Sequence, residues 1–64
     1  MEKLYEAHEG AHAFVEVYNR VTAEDALALH GSLLAEGFAS EGENLLGGNT
    51  FSFYKKGEER RILG

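Results

Sequence analysis

The residues His8-Glu9-Gly10-Ala11-His12 have the types and spacing that could do covalent chemistry. Two histidines four apart, with a glutamate after the first, match H-E-x-x-H. In that pattern both imidazoles hold a zinc ion and the carboxylate activates a bound water. The chemistry needs the five residues inside one helix, so that positions i and i+4 share a face, and a third protein ligand from farther along. Here Gly10 interrupts a helix, and a strong strand pattern starts at His12. Turn chemistry accounts for the segment instead: Glu9-Gly10-Ala11 is expected to reverse the chain as a three-residue hairpin loop. Tyr5 would then lie opposite Val15 and Ala7 opposite Ala13, with His8 and His12 facing each other on the other side. No catalytic zinc and no cofactor are expected. His8 and His12 remain as an alternative metal pair.

The other chemically capable residues are isolated. His30 falls in an apolar helical stripe, where a hydrogen-bonded, partly buried imidazole is the expectation rather than a general base. No serine sits in a nucleophile-elbow pattern, and with no cysteine a thiolate nucleophile is excluded. Gly47-Gly48 is too short for a phosphate cradle and no helix follows it. The eleven carboxylates lie in polar contexts that would not raise a pKa. The reading is a protein that is not an enzyme.

The elements that position these residues follow from periodicity. Residues 12–21, "HAFVEVYNRV", alternate and are rich in β-branched and aromatic types, the mark of a strand. Ala13, Val15 and Val17 share one parity; Phe14, Glu16 and Tyr18 share the other. Residues 22–37 form the helix, with Thr22 as N-cap and Asp25 at N3. Glu24 and Asp25 suit the positive end of its dipole. Ala23, Ala26, Leu27, His30, Leu33 and Leu34 make its apolar stripe. Gly37 is placed at C′, with Phe38 folding back on Leu33. Residues 39–49, with three glycines and two asparagines, read as a loop. Residues 50–56 and 60–63 read as strands joined at "KGEE", with Phe53 opposite Ile62. The fold class expected is α+β: a small antiparallel sheet of three or four strands in β-α-β-β order, a further strand at 3–8 included, with one helix on one face.

Sixty-four residues make one domain near the lower limit for folding alone. No apolar run approaches the roughly 20 residues of a membrane span. The stretch "MEKLYEAHEG" carries acids and has no apolar core of a signal peptide, so a cytoplasmic protein is expected. The net charge is −5, which disfavours direct binding to nucleic acid and favours a basic protein surface.

What remains is recognition. A sheet covered on one side leaves its second face open, and Phe14, Glu16, Tyr18, Ser52 and Tyr54 are expected there, with Glu6 beside them. Aromatics flanked by acids suit a protein interface. Glu24, Asp25 and Glu36 form a second acidic set on the outer side of the helix. In size, acidity, lack of cysteine and one-domain α/β build, the chain resembles the small acidic inhibitors made by phages and mobile elements, anti-CRISPR proteins among them. That resemblance implies a protein acting in the host cytoplasm, occluding the basic site of a nucleic-acid-binding effector subunit with carboxylates in place of phosphates. One alternative is a homo-oligomeric accessory domain, such as a homodimer, joined through the open sheet face. A second is a small zinc-binding or hydrolytic protein using His8 and His12.

Overall fold

The computed structural model describes all 64 residues. The elements run β1 (Glu2–Glu9), β2 (His12–Asn19), α1 (Ala23–Ala35), β3 (Ala39–Leu46), β4 (Asn49–Lys56) and β5 (Glu59–Leu63). The strands form one sheet in the order β1-β2-β5-β4-β3, and α1 lies on one face. The fold is α+β, as expected, but the sheet has five strands and is mixed: β2 and β5 are parallel, and the other neighbouring pairs are antiparallel. No helix is long and apolar enough to cross a membrane.

Residues 39–46, read from sequence as loop, are strand β3. A register shift between Ser40 and Glu43 breaks its alternation, which is why no period was visible. Gly47 and Gly48 both have positive φ (57° and 86°) and close a two-residue β3–β4 hairpin of the I′ kind. The glycine pair was a hairpin signal rather than loop filler. The β1–β2 connection is likewise shorter than expected. Glu9 pairs with His12, so Gly10-Ala11 alone makes the turn, with positive φ only at Gly10.

The helix ends follow the sequence closely. Thr22 Oγ1 accepts a hydrogen bond from the Asp25 N–H at 3.1 Å. At the other end Gly37 N–H donates to Leu34 O and Phe38 N–H to Leu33 O, the Schellman pair of bonds. They place Phe38 beside Leu33 in a core with Tyr54 and Leu63, flanked by Tyr18, Val21 and Leu29. The helix is rotated from the expected stripe. Leu29 and Leu33 point at the sheet, whereas Leu27 is 76% exposed and Leu34 46%.

That core fixes which side of the sheet is which, and the sides are exchanged relative to the sequence reading. Tyr18, Tyr54 and Leu63 lie under the helix. The alternate residues Val15, Val17, Phe53 and Ile62 therefore occupy the uncovered face. Phe53 does pair with Ile62, on the side opposite the one expected. The physical reason is size. The helix sends only two large side chains downward, so the long tyrosines fill the space beneath it, and their hydroxyl ends reach polar groups at its margin.

Candidate interaction surfaces

Three surfaces could act on other molecules. The first lies on the helix side of the sheet, where β1 and β2 extend beyond the helix. A bulge at Leu4, between the Lys3–Tyr18 and Tyr5–Val17 pairs, turns Lys3 to this side. Its Nζ is 3.2 Å from both Glu6 and Glu16 carboxylates and lies over the Tyr18 ring. Arg61 of β5 closes the group: its Nε is 3.0 Å from Glu16, its Nη2 donates to Ala13 O at 3.2 Å, and its guanidinium stands over Phe38 at 5.0 Å. His8 Nε2 lies 3.0 Å from Glu6, and His12 Nε2 3.0 Å from Glu59. The hydrogen bonds that Lys3 donates to Glu16 and Glu6 raise its pKa, and the one to Glu6 holds that carboxyl below the ordinary carboxylate value.

This arrangement corrects three expectations. Glu6 and Glu16 are not available acids beside open aromatics; each is neutralised inside the network. Tyr18 and Tyr54 are not exposed recognition residues. Tyr54 is 5% exposed, its hydroxyl is 2.7 Å from His30 Nδ1, and burial, with Glu43 nearby, pushes its pKa up. Tyr18 is raised by burial first and then by Glu16. His8 and His12 do not face each other either. His8 pairs with Ala13 across a register shift that leaves Phe14 without a β1 partner, and His12 pairs with Glu9. The two imidazoles meet different carboxylates, and no three histidine, aspartate or glutamate side chains converge as a metal site.

The second surface is the uncovered sheet face. Tyr5 and Ala7 of β1 pair with Val17 and Val15 of β2; Ile62 follows on β5 and Phe53 on β4, giving a row of apolar side chains across four strands. Val15, Phe53 and Ile62 line a shallow depression of about 520 Å³, with Arg60, Glu41 and Asn44 around it. The sequence held this surface in plain view, as the valine parity, but assigned it to the core.

The third surface is electrostatic. Between Arg20 and Lys55 there is no Lys or Arg, and this stretch holds Glu24, Asp25, Glu36, Glu41 and Glu43. The other six acids are matched by six bases, so the whole net charge of −5 resides on α1, its C-cap Glu36 and β3. None of these five carboxylates has a cation within 4 Å, because the ion pairs use Glu6, Glu16 and Glu59. The charge gap was legible in the sequence. What the sequence could not reveal is that β3 is the edge strand following the helix, so that Glu43 lies toward Tyr54 on the helix side while Glu41 borders the depression of the uncovered face.

Comparison with protein-family models, with curated proteins and with solved structures finds no match to this chain.

Proposed function

We propose that this chain is a non-enzymatic binding protein that docks its α1–β3 side on a basic protein surface that handles nucleic acid, and so inhibits it. This is the mode of action implied by the resemblance to small acidic phage inhibitors. The observation that carries the proposal is the segregation of charge. Five unpaired carboxylates and no base lie on one helix and the edge strand after it, while the rest of the molecule is neutral. Glu24, Asp25 and Glu36, with Glu41 and Glu43 among the acids of the first fifty residues, keep that role; Glu6 and Glu16, which Lys3 and Arg61 neutralise, do not. Such a side approaches an Arg/Lys-rich groove as a phosphate backbone would, and steering by opposite charge speeds association.

The test begins with a partner captured by tagged protein and identified by mass spectrometry. Its affinity is then measured against salt and against competing nucleic acid. The expected result is competition by nucleic acid, weakening as salt rises, and at least tenfold loss for the double reversal Glu41→Lys/Glu43→Lys. Glu6→Gln should change binding little. An affinity indifferent to salt, to nucleic acid and to the double reversal would overturn the proposal.

A further inference from the structure

We propose that the uncovered sheet face is the interface of a twofold homodimer, in which two copies pack sheet to sheet with Tyr5 of each entering the depression beside Phe53 of the other. The inference rests on the apolar residues of this face and not on the acidic helix; Glu41, at the rim of the depression, is the one residue that borders both.

The apolar residues of this chain are divided between two layers, and only one is closed. Four residues are buried, all on the helix side. Val15, Val17, Phe53 and Ile62 on the other side are only half-buried, and Tyr5 is 58% exposed. A second layer about 10 Å away is the ordinary way to close such a face. The size fits a second copy. The molecule measures 33 × 22 × 18 Å, so its broad face is at most about 700 Å², and the roughly 800 Å² per partner of a stable complex calls for nearly all of it.

Strand order supplies the geometry. With β5 in the centre of β1-β2-β5-β4-β3, a twofold axis along β5 lays β1 of one copy over β3 of the other, and β2 over β4. Val17, level with Ile62 and Phe53, then meets the partner copy's Phe53, and Val15, level with Arg60, meets the stem of Lys55. The protruding Tyr5 stands over the depression lined by Phe53, Asn44 and Glu41. The knob and the hole are both on this chain, as self-complementary packing requires. Arg60, on the axial strand, lines the depression and reaches back to the turn carbonyls of Gly57 and Glu59.

Charge argues against a basic partner here. Lys55 and Arg60 are the neighbouring cations of this face, with Glu41 alone of the unpaired acids at its depression, whereas Glu24, Asp25 and Glu36 belong to the helix on the other side of the sheet.

Sedimentation equilibrium from 5 to 200 µM decides the matter. The 7.0 kDa chain should sediment as twice that mass. Tyr5→Lys, at an exposed position, and Val17→Lys should each raise the dissociation constant at least tenfold, with the helical circular dichroism unchanged. Leu27→Lys, on the exposed helix flank, should not alter it. Should Val17→Lys unfold, isotope-filtered NOEs in the wild type between Val17 methyls of one copy and the Phe53 ring of the other give the same reading. A wild type that is monomeric throughout this range overturns the proposal. So does a dimer that survives Tyr5→Lys, lacks those NOEs, or is broken by Leu27→Lys.

Discussion

The two faces of the sheet carry similar amounts of apolar side chain and have different fates. Under the helix, Tyr18, Tyr54 and Leu63 meet Leu29, Leu33 and Phe38 and lose most of their exposure. On the other side no layer covers Val15, Val17, Phe53 and Ile62, and none of them is fully buried. Hydrophobicity alone does not decide which parity becomes the core. The partner layer does, and here that layer is a 13-residue helix with few large side chains facing down. The long tyrosines suit that gap because a phenol ring can be buried while its hydroxyl stays bonded, as Tyr54 does to His30.

Adjacent residues on β4 offer the sharpest contrast. Tyr54→Ala should cost about 3–5 kcal/mol, the range for deleting a buried aromatic. A chain of this length has roughly 3–10 kcal/mol in all, so urea unfolding should find this variant largely unfolded at any protein concentration. Phe53→Ala removes a ring of similar size from the open face. Its cost should be smaller in dilute protein and should grow with concentration, as the second layer forms. Equal losses for the two variants in dilute protein would mean the faces do not differ as described.

Arg61→Met is the next largest. Arg61 ties Glu16, the Ala13 carbonyl and the Phe38 ring, so it joins β5 to β2 and to the chain just after the helix. Lys3 still reaches Glu16 when the guanidinium is gone, which limits the loss to about 1–3 kcal/mol. The midpoint in urea should fall by the same amount in dilute and concentrated protein, since this network lies away from the open face.

Alkaline titration probes the helix side more gently. Burial raises Tyr18 and Tyr54, and Glu16 and Glu6 raise Lys3. A group whose folded pKa is raised stabilises fully below its unfolded value and loses that contribution as pH climbs through the folded one. Stability should therefore be level from neutral pH to about 9.5 and fall above pH 10. Glu6, lowered by Lys3, acts in the opposite range: its contribution is present above about 4.5 and lost as pH drops further. Tyr54→Phe should lose about 0.5–1.5 kcal/mol with its hydrogen bond at neutral pH and shrink the alkaline fall. A melting temperature still flat at pH 11 would contradict the buried placement of both tyrosines.

How much of this was readable in the residues depended on the range of the signal. The helix caps are local: Thr22, Asp25, Gly37 and Phe38 each act within five residues, and all four take the expected positions. The hairpin at His8–His12 is also local, and its existence followed from Gly10 and the alternation after it. Its register did not, because a two-residue turn and a three-residue turn differ by a shift no single residue announces. β3 was hidden because Gly42 and the register shift interrupt its period. The side of each strand was hidden for a different reason. Parity says which residues travel together, not which set a distant helix covers. The acidic stretch was half legible, since the absence of bases from 21 to 54 is plain in the sequence, while the faces on which the fold sets its acids are not.

The smallest effect belongs to the segment with the most suggestive chemistry. His8 and His12 flank the Gly10-Ala11 turn, are well exposed, and lie 3.0 Å from Glu6 and Glu59 respectively. An exposed pair of this kind contributes about 0–1 kcal/mol, since solvent screens it and ordering two side chains offsets the gain. His12→Ala should therefore shift the melting temperature very little. Zinc at tenfold excess should act the same way. A folded-state site would raise the melting temperature in proportion to its affinity, by about 1.4 kcal/mol of stabilisation when the free ion is at ten times its dissociation constant. Two imidazoles turned toward different carboxylates, with no third donor converging on them, offer zinc no such site. The melting curve with zinc should overlay the one with chelator, for wild type and His12→Ala alike. A zinc-dependent rise that disappears in His12→Ala would show that the turn rearranges to bring the two histidines together, and would reopen hydrolysis as a function for residues 8–12.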